Sequence, residues 1–532
     1  MSTLLLKNIR TLVTCDDRDT VLENAGILCR DGVIAAMGPG LEQEADEVLD
    51  CTGMLCYPGL VNTHHHLYQC FSRNLPQVQN MELFDWLRTL YEIWKNLDET
   101  VVRFSSLTAM GEMMKHGCTT CFDHHYVFPQ GAGDLLGQQF AAAEMLGMRM
   151  VCSRGSMDLS RKDGGLPPDS VVQTIDQILA DSVRAIEKYH DPAPGAMRQV
   201  VLAPCSPFSV TGDLLRESAK LARQYGVRLH THLCETKDEE NYMLEREGMR
   251  PLAYMEKLGW VGSDVWYAHG IHFNDGELQL LADTGTGVAH CPASNMKLSS
   301  GVCRVPDMLE LGVKVGLALD GSASNDGNSL LEELRTAYLL HRLTYSHRAP
   351  SGYDLLKMAT RGGAAVLGRR DIGALSPGMQ ADVFGGQPPA GAGGRLRRPE
   401  KCAGYGGRPG AGGLHRDPGP GHCPAGPDRR PGRGPAGPAG GGGLRRLSGK
   451  ITVNKEKFHA SRLFVFRPAD HFPHCCAVPC PAHHHRGPGL PGRTAPGHGP
   501  AHPLGPGVCP GPLLPGPHHL CGGPLHPEVT HG

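Results

Sequence analysis

The alternation of short apolar segments with helical segments, starting at Pro58, is the strongest constraint on the fold. The segments that we interpret as strands are LVNTHHH, CTTCFDHH, MRMVCSRG, QVVLAPCS, VRLHTHLCE, VWYAHGIHF, TGVAHCPAS and VKVGLALDG. Eight apolar strands separated by helices are typical of a (β/α)8 barrel. An open, doubly wound α/β sheet has the same alternation, so the pattern alone leaves both architectures open.

The segments between and before these strands also have regular patterns. In MELFDWLRTLYEIWKNL, helical periodicity places one set of apolar residues on a single face: Leu83, Phe84, Leu87, Leu90, Tyr91 and Trp94. Several predicted helices end at glycines, namely Gly117, Gly147 and Gly226. Before residue 58 the chain is predicted to form short strands, with a hairpin at Asp31-Gly32 between GILCR and VIAAMG.

The composition changes abruptly after Phe384, within a segment (GALSPGMQADVF) that is predicted to form a strand. Residues 385–532 are rich in Gly, Pro and Arg, lack periodicity and are predicted to be disordered. Only ITVNKEKFHASRLFVF resembles a strand. Because Gly, Pro, Arg and Ala share GC-rich codons, we interpret this tail as out-of-frame translation, from a frameshift or a sequence error.

The charge balance also differs on either side of this point. The chain has 52 Lys and Arg and 54 Asp and Glu, but 18 of the basic and 6 of the acidic residues follow Phe384. The first 384 residues thus carry a net charge of about −14, which argues against nucleic acid or an anionic membrane as partner. The N-terminus lacks the features of a signal peptide, and the 19 cysteines have no framework spacing. These features predict a cytoplasmic enzyme with reduced thiols.

Histidines and acidic residues lie at the ends of four predicted strands. His64 and His66 are two apart at the end of the first, so alternation points both the same way, and imidazole nitrogens suit zinc. An isolated pair of this kind is more often a polar loop. His232 with Glu235, His269, and Asp320 end strands five, six and eight, at the rim where barrel enzymes place their chemistry.

These motifs (PGLVNTHHH, HTHLCE, the AHG histidine and DGSASN) resemble the deaminase and chlorohydrolase branch of the amidohydrolase superfamily. The resemblance covers approximately residues 1–384. It implies one divalent metal, zinc or alternatively iron, bound by His64, His66, His232 and Asp320. It also implies that Glu235 transfers protons, while His269 and Asp320 activate and hold the attacking water. MRMVCSRG and QVVLAPCS lack the lysine that bridges two metals in other members, so one metal is expected.

Three segments after the first strand, His66-Leu67-Tyr68-Gln69, Arg73-Asn74-Leu75-Pro76 and LFDWLRTLYEIW, together resemble the 8-oxoguanine deaminases, which are similar to hydroxyatrazine ethylaminohydrolases. The resemblance implies a small heterocyclic substrate, with 8-oxoguanine converted to urate and ammonia. Candidate substrate contacts are Gln69, Trp94 and His290, although a solvated loop, the core and a structural hydrogen bond are the respective alternatives. The alternatives for function are a triazine chloro- or alkylamino-hydrolase, and an inactive product with a damaged C-terminus. A homo-oligomer is also compatible with the sequence.

The resemblance further implies a domain organisation in which strands from both ends of the chain form a small β-sandwich. Residues 1–57 would supply its N-terminal part, residues 58–370 the barrel, and residues 371–384 the start of its C-terminal part. If the C-terminal contribution ends there, the N-terminal hairpins expose an unpaired edge and an apolar face. We therefore expect a destabilised protein that tends to aggregate.

Overall fold

The computed structural model of the chain describes residues 2–386 and the backbone of Leu463–Val465. Within them the strands are β1 Thr3–Val13, β2 Val21–Arg30, β3 Val33–Pro39, β4 Glu47–Asp50, β5 Leu55–Pro58, β6 Leu60–Asn62, β7 Cys118–Asp123, β8 Arg149–Ser156, β9 Arg198–Pro204, β10 Arg228–Leu233, β11 Val265–His269, β12 Gly287–His290, β13 Val315–Leu317, β14 Val383–Gly386 and β15 Leu463–Val465. The rest of the predicted Gly/Pro/Arg-rich tail lies outside the described residues.

The helices lie mainly between the strands from β6 onward. They are α1 Leu83–Trp94, α2 Glu99–Lys115, α3 Leu135–Leu146, α4 Ile175–Tyr189, α5 Gly212–Tyr225, α6 Lys237–Glu247, α7 Pro251–Lys257, α8 Asp275–Thr284, α9 Pro292–Lys297, α10 Val305–Glu310, α11 Ser322–Asn325, α12 Leu330–Tyr345, α13 Gly352–Lys357 and α14 Gly363–Val366. A π-helical turn over Met358–Gly362 joins the last two. Within the described residues, no helix combines the length and apolar character that crossing a bilayer requires.

Strands β6 to β13 form one parallel sheet in chain order. Backbone hydrogen bonds from Thr63 N to Leu317 O (3.4 Å) and from Asp320 N to His64 O (3.1 Å) bring its first and last strands together. The prediction of a (β/α)8 barrel is therefore confirmed, and the open doubly wound sheet is excluded. All eight predicted strand segments supply a barrel strand, because each is apolar enough to be buried on both faces.

A second sheet contains the N-terminal strands in the order β15-β14-β5-β1-β2-β3, with β4 paired to β1. The predicted hairpin joins β2 to β3, and Asp31 and Gly32 adopt the positive φ values (47° and 82°) that a tight turn requires. The strand predicted near Phe384 is β14, which pairs antiparallel with β5. This pairing covers the β5 edge of the sheet. The side chain of Phe384 stacks on Tyr57, with 5.3 Å between ring centroids.

Candidate active site

The carboxyl ends of four barrel strands bring the predicted catalytic and metal-binding residues together. His64 and His66 follow β6, His232 and Glu235 lie at the end of β10, His269 ends β11 and Asp320 follows β13. All of these side chains are buried. Because parallel strands in a barrel end at one rim, residues more than 250 positions apart converge on a single chamber.

The backbone of this rim is held in unusual conformations. Cys234, His269 and Asp320 have φ values of +53°, +72° and +61°, in the left-handed region that non-glycine residues rarely adopt. Each such residue costs about 1–3 kcal/mol and persists only where the surroundings fix it. At Asp320 this support includes the bond from its own amide to His64 O and one from Gly321 N to Oδ1 (2.6 Å).

The hydrogen bonds of His66 and His232 determine which ring nitrogens carry lone pairs. Their Nδ1 atoms lie 2.7 Å from the main-chain oxygen of His124 and 2.6 Å from that of Cys205, respectively. A carbonyl oxygen only accepts, so each Nδ1 is the donor and each Nε2 of a neutral ring has a lone pair. The two Nε2 atoms are 3.2 Å apart. Two lone pairs at this separation require a proton or a cation between them.

His64 and Asp320 complete this arrangement. Nε2 of His64 is buried and makes no hydrogen bond to the described residues, and Asp320 Oδ1 lies 3.5 Å from it and 3.2 Å from His66 Nε2. Burial alone would raise the pKa of Asp320, but His64 and His66 hold it well below its ordinary value. A proton on His66 would satisfy only part of this set. Three imidazole nitrogens and one carboxylate fit a divalent cation such as Zn²⁺.

Glu235 and His269 lie beside these four residues. The Nδ1–H of His269 donates to Asn295 Oδ1 (2.8 Å), which turns Nε2 toward Glu235 Oε2 at 3.5 Å. Burial and, second, the charge of Asp320 raise the pKa of Glu235 to about 8. A carboxyl group with such a pKa can both accept and release a proton near neutral pH, which is what general acid–base catalysis requires.

A cavity opens onto these groups at the rim where barrel enzymes bind their substrates. Its lining includes His66, Gln69, Leu83, Trp86, Leu87, Tyr126, Cys205, Phe208, His232, Glu235, His269, Leu298 and Asp320. Trp86 and Gln69 both line it, and the indole Nε1 of Trp86 and the amide oxygen of Gln69 are buried without a hydrogen-bond partner among the described residues. Since buried polar groups are normally paired, both are available to a ligand.

Residues 55–384 match the amidohydrolase family, which covers more than half of the chain. This chain belongs to the amidohydrolase family. The family assignment agrees with the resemblance noted from the strand-end motifs, and with the barrel and the convergent histidines described above.

Two relatives of this amidohydrolase have similar levels of identity. The chain is 45% identical over 386 residues to an 8-oxoguanine deaminase of Pseudomonas aeruginosa, covering 72% of this chain and 85% of the relative. It is 44% identical over 400 residues to a hydroxydechloroatrazine ethylaminohydrolase of Pseudomonas sp. strain ADP, covering 72% and 83%. Among solved structures, a zinc complex of atrazine chlorohydrolase from Arthrobacter aurescens superimposes with a TM-score of 0.73 at 32% identity, covering 76% and 91%.

Two of the three predicted substrate contacts of this amidohydrolase, Trp94 and His290, are not among the residues that line the cavity. The indole of Trp94 is buried and donates to Ser72 Oγ (3.0 Å). The ring of His290 lies against His341, with 3.1 Å between their Nε2 atoms. Gln69 does line the cavity. There Gly321 leaves room for it, because a Cβ at that position would lie 1.9 Å from the Gln69 amide oxygen.

Sequence reasoning also missed residues that support the site. Glu239 accepts hydrogen bonds from the backbone amides of Cys234 (2.9 Å) and Glu235 (2.8 Å), so it fixes the turn that carries Glu235. One ring nitrogen of His124 lies within 4.8 Å of a nitrogen of each of His64, His66 and His232. His124 follows β7 in the predicted strand CTTCFDHH, and its position at a strand end was the signal that could have identified it.

Proposed function

We propose that this amidohydrolase is a metal-dependent aminohydrolase that converts 8-oxoguanine to urate and ammonia. The observation that carries the proposal is the position of Glu235, a buried carboxyl 3.5 Å from His269 Nε2 that lines the same cavity as His66, His232 and Asp320. Hydrolysis of an amino-substituted ring needs such a group to take a proton from water and deliver it to the departing amine. The 45% identity to an 8-oxoguanine deaminase supports this purine as the substrate.

His64, His66, His232 and Asp320 would hold one divalent metal ion. Zinc suits three imidazoles and one carboxylate, and iron is the alternative. When bound, such a cation lowers the pKa of a water molecule toward neutrality and stabilises negative charge that develops on the substrate.

The protein's own residues would carry the proton transfers. Glu235 accepts one proton from the attacking water and delivers it to a ring nitrogen as the oxygen adds to the ring carbon. It then transfers the second proton, from the added hydroxyl, to the amine, which leaves as ammonia while the C–N bond breaks and the C=O bond forms. His269, oriented by Asn295, stabilises the oxygen that adds to the ring carbon. Asp320 is aligned by hydrogen bonds to its Oδ2 from Ser294 Oγ (2.6 Å) and Ser324 Oγ (3.1 Å), and orients the same oxygen.

The cavity walls would position a flat, polar ring. Trp86 offers an indole N–H to a ring carbonyl or nitrogen, and Gln69 offers its amide oxygen to a ring N–H. Leu87, Phe208 and Leu298 supply apolar surface that displaces water and leaves the polar pairing to these two side chains.

We further propose the domain organisation that the sequence predicts. Residues 1–57 and 371–384 belong to a small β-sandwich, and residues 58–370 form the barrel. Its support is that Leu375, Ala381 and Val383 pack in one apolar cluster with N-terminal residues such as Leu4 and Ile27.

Removal of an alkylamino group from a triazine is the second candidate function. The observation that favours it is the 44% identity to an ethylaminohydrolase, which nearly equals the identity to the purine deaminase. The same proton transfers would expel ethylamine in place of ammonia, so the metal site does not distinguish the two reactions.

The experiment that separates these functions compares two products from zinc-loaded full-length protein. Ammonia from 8-oxoguanine and ethylamine from hydroxyatrazine are measured in parallel, with Glu235→Gln as the control variant. We expect ammonia release that the variant lacks. Ethylamine release alone would establish the second function instead. Folded protein that binds neither zinc nor iron would identify the chain as an inactive product.

A further inference from the structure

His230 precedes the proposed metal ligand His232 by two positions in β10. Alternation along a strand places both side chains on the interior of the barrel. His230 is fully buried, and the rings of Phe122, His124 and Trp266 lie around it. It is deeper than the cavity and has no part in the proposed proton transfers.

The two nitrogens of His230 have different partners. Nδ1 lies 3.0 Å from the main-chain oxygen of Trp266, and Nε2 lies 2.9 Å from Nδ1 of His64. The Trp266 oxygen can only accept, so Nδ1 of His230 carries the hydrogen. In a neutral ring Nε2 then has the lone pair. The uncharged aromatic rings nearby favour that neutral form.

The tautomer of His64 follows from this geometry. Nδ1 of His64 must donate its hydrogen to the lone pair of His230 Nε2. Nε2 of a neutral His64 ring therefore carries a lone pair. His66 and His232 have the same tautomer, but their Nδ1–H groups donate to main-chain oxygens. His64 alone among the three proposed histidine ligands depends on a side chain for its orientation.

We propose that His230 is a positioning residue that fixes the tautomer and ring orientation of His64, and thereby presents His64 Nε2 to the metal. The inference rests on the proposed function only in requiring a metal bound by His64. The partner of the second ring nitrogen of a metal-binding histidine typically contributes 10–100-fold to metal affinity or activity. Replacing the His230 acceptor is therefore expected to weaken metal binding although every proposed ligand is kept.

The test uses two variants of similar shape in the full-length protein. His230→Gln keeps an oxygen that can accept from His64 and an amide that can donate to Trp266, whereas His230→Met keeps neither function at full strength. Zinc affinity is measured by competition with a chelator, and ligand geometry by the visible absorption spectrum of the cobalt-substituted protein. His341→Met, at a buried histidine outside the site, reports the general effect of such a replacement.

We expect His230→Met to bind zinc 10–100-fold more weakly and to change the cobalt spectrum. His230→Gln and His341→Met should stay within about threefold of the parent, which is well short of the loss that a missing partner causes. Equal affinity in the parent and His230→Met, or equal losses in both His230 variants, would overturn the inference. His230→Phe replaces the Met variant if the latter does not fold.

Measuring zinc binding and ammonia release separately distinguishes a failure of this inference from a wrong choice of substrate. A parent that binds zinc but releases no ammonia refutes 8-oxoguanine as substrate and leaves the role of His230 intact. A folded parent that binds neither zinc nor iron refutes both.

Discussion

At the scale of single residues, burial determines the pKa of the Glu235 carboxyl group and hence its ability to transfer protons. Its pKa of about 8 results first from burial and then from the charge of Asp320. A cation bound by the neighbouring histidines would favour the ionised carboxylate and lower this pKa. Glu235 would then be a base near neutral pH that regains its proton when charge develops on the substrate.

Replacing Glu235 with Gln should lower kcat for ammonia release by about 10²–10⁴-fold, because the amide cannot transfer the proton. Zinc content should not change, since Glu235 is not a proposed ligand. Steady-state kinetics and metal analysis of the same samples test both statements. Glu217→Gln, on the exposed surface of α5, is the control. Loss of zinc together with activity would contradict the assigned role.

Replacing Trp86 with Phe should lower kcat/KM for 8-oxoguanine by about 5–150-fold, equivalent to about 1–3 kcal/mol for a lost hydrogen bond in a buried site. The expectation follows because Trp86 lines the cavity and its buried indole N–H has no hydrogen-bond partner in the part of the chain that the structure describes. Trp94→Phe is the matched control, since that indole already bonds Ser72. Similar losses in kcat/KM for both variants would show that Trp86 acts through packing.

At the scale of secondary-structure elements, the turn between β10 and α6 fixes the position of Glu235. Glu239 in the first turn of α6 bonds the amides of Cys234 and Glu235, and Cys234 has a left-handed backbone. The helix start thus holds the preceding loop in a conformation that the loop would not adopt alone. The position of Glu235 therefore depends on α6 as well as on β10.

Replacing Glu239 with Ala should destabilise the protein by about 2 kcal/mol or more, because two buried amides lose their acceptor. We also expect kcat to fall while zinc content is retained, since the turn that carries Glu235 is released. Urea unfolding and kinetics provide the measurements, and Glu245→Ala, exposed on the same helix, is the control. Unchanged kcat in Glu239→Ala would show that the turn holds its conformation unaided.

The barrel strands could be predicted from the sequence, because buried parallel strands are continuous apolar segments. The polar residues at their ends could be predicted to converge for the same reason, since they stand out at the ends of apolar segments: His64, His66, His232, Glu235, His269 and Asp320. The sequence could not show whether Trp86 or Trp94 lines the cavity. Both lie on the buried face of α1, and the orientation of the helix over the cavity decides which one reaches it. Likewise, the predicted apolar face included Phe84, which is only partly buried, and omitted Trp86, which is buried.

The hydrogen-bond network was also inaccessible to sequence reasoning. The motif HTHLCE indicates a metal ligand at His232, but it does not reveal that His230 contacts His64, 166 positions away. Such pairs depend on the distance between β6 and β10 across the barrel interior. A single sequence contains no record of that distance.

At the scale of the whole molecule, buried ionisable groups make the stability of the metal-free protein depend on pH. Burial raises the pKa values of Glu235, Glu239 and Glu333 to about 8, 7 and 8. In the unfolded chain these groups titrate near 4.3. Between pH 7 and 8 the folded state therefore retains protons that the unfolded state has released, and stability falls as pH rises.

We expect the unfolding free energy of metal-free protein to decrease from pH 7 to 8, by up to about 1.4 kcal/mol per pH unit for each protonated carboxyl group. The buried histidines, whose lowered pKa values include about 3 for His64, oppose this only below their unfolded value near 6.5. Urea unfolding at several pH values measures the slope, and Glu333→Gln should reduce it. A slope of zero or of opposite sign would refute the prediction.

The origin of the tail can be tested on the natural protein. If residues 385–532 arise from a changed reading frame, resequencing of the coding DNA should recover a frame that continues the strand-forming segment beyond Phe384. Tryptic peptides from the source organism should then match that frame. Peptides that match the printed tail would show that it is translated as written, and the frameshift interpretation would be wrong.

The contacts of β14 and of Asp382, which precedes it, carry an evolutionary consequence. Asp382 forms a buried ion pair with Arg149 of β8 (3.4 Å), and Phe384 lies against Gly117, so the last residues before the compositional change pack against the barrel. A lesion in the gene after codon 384 would spare every side chain of the catalytic rim. Such a lesion would lower the stability of the protein before it removed any catalytic residue. A decaying gene could then still encode a recognisable enzyme.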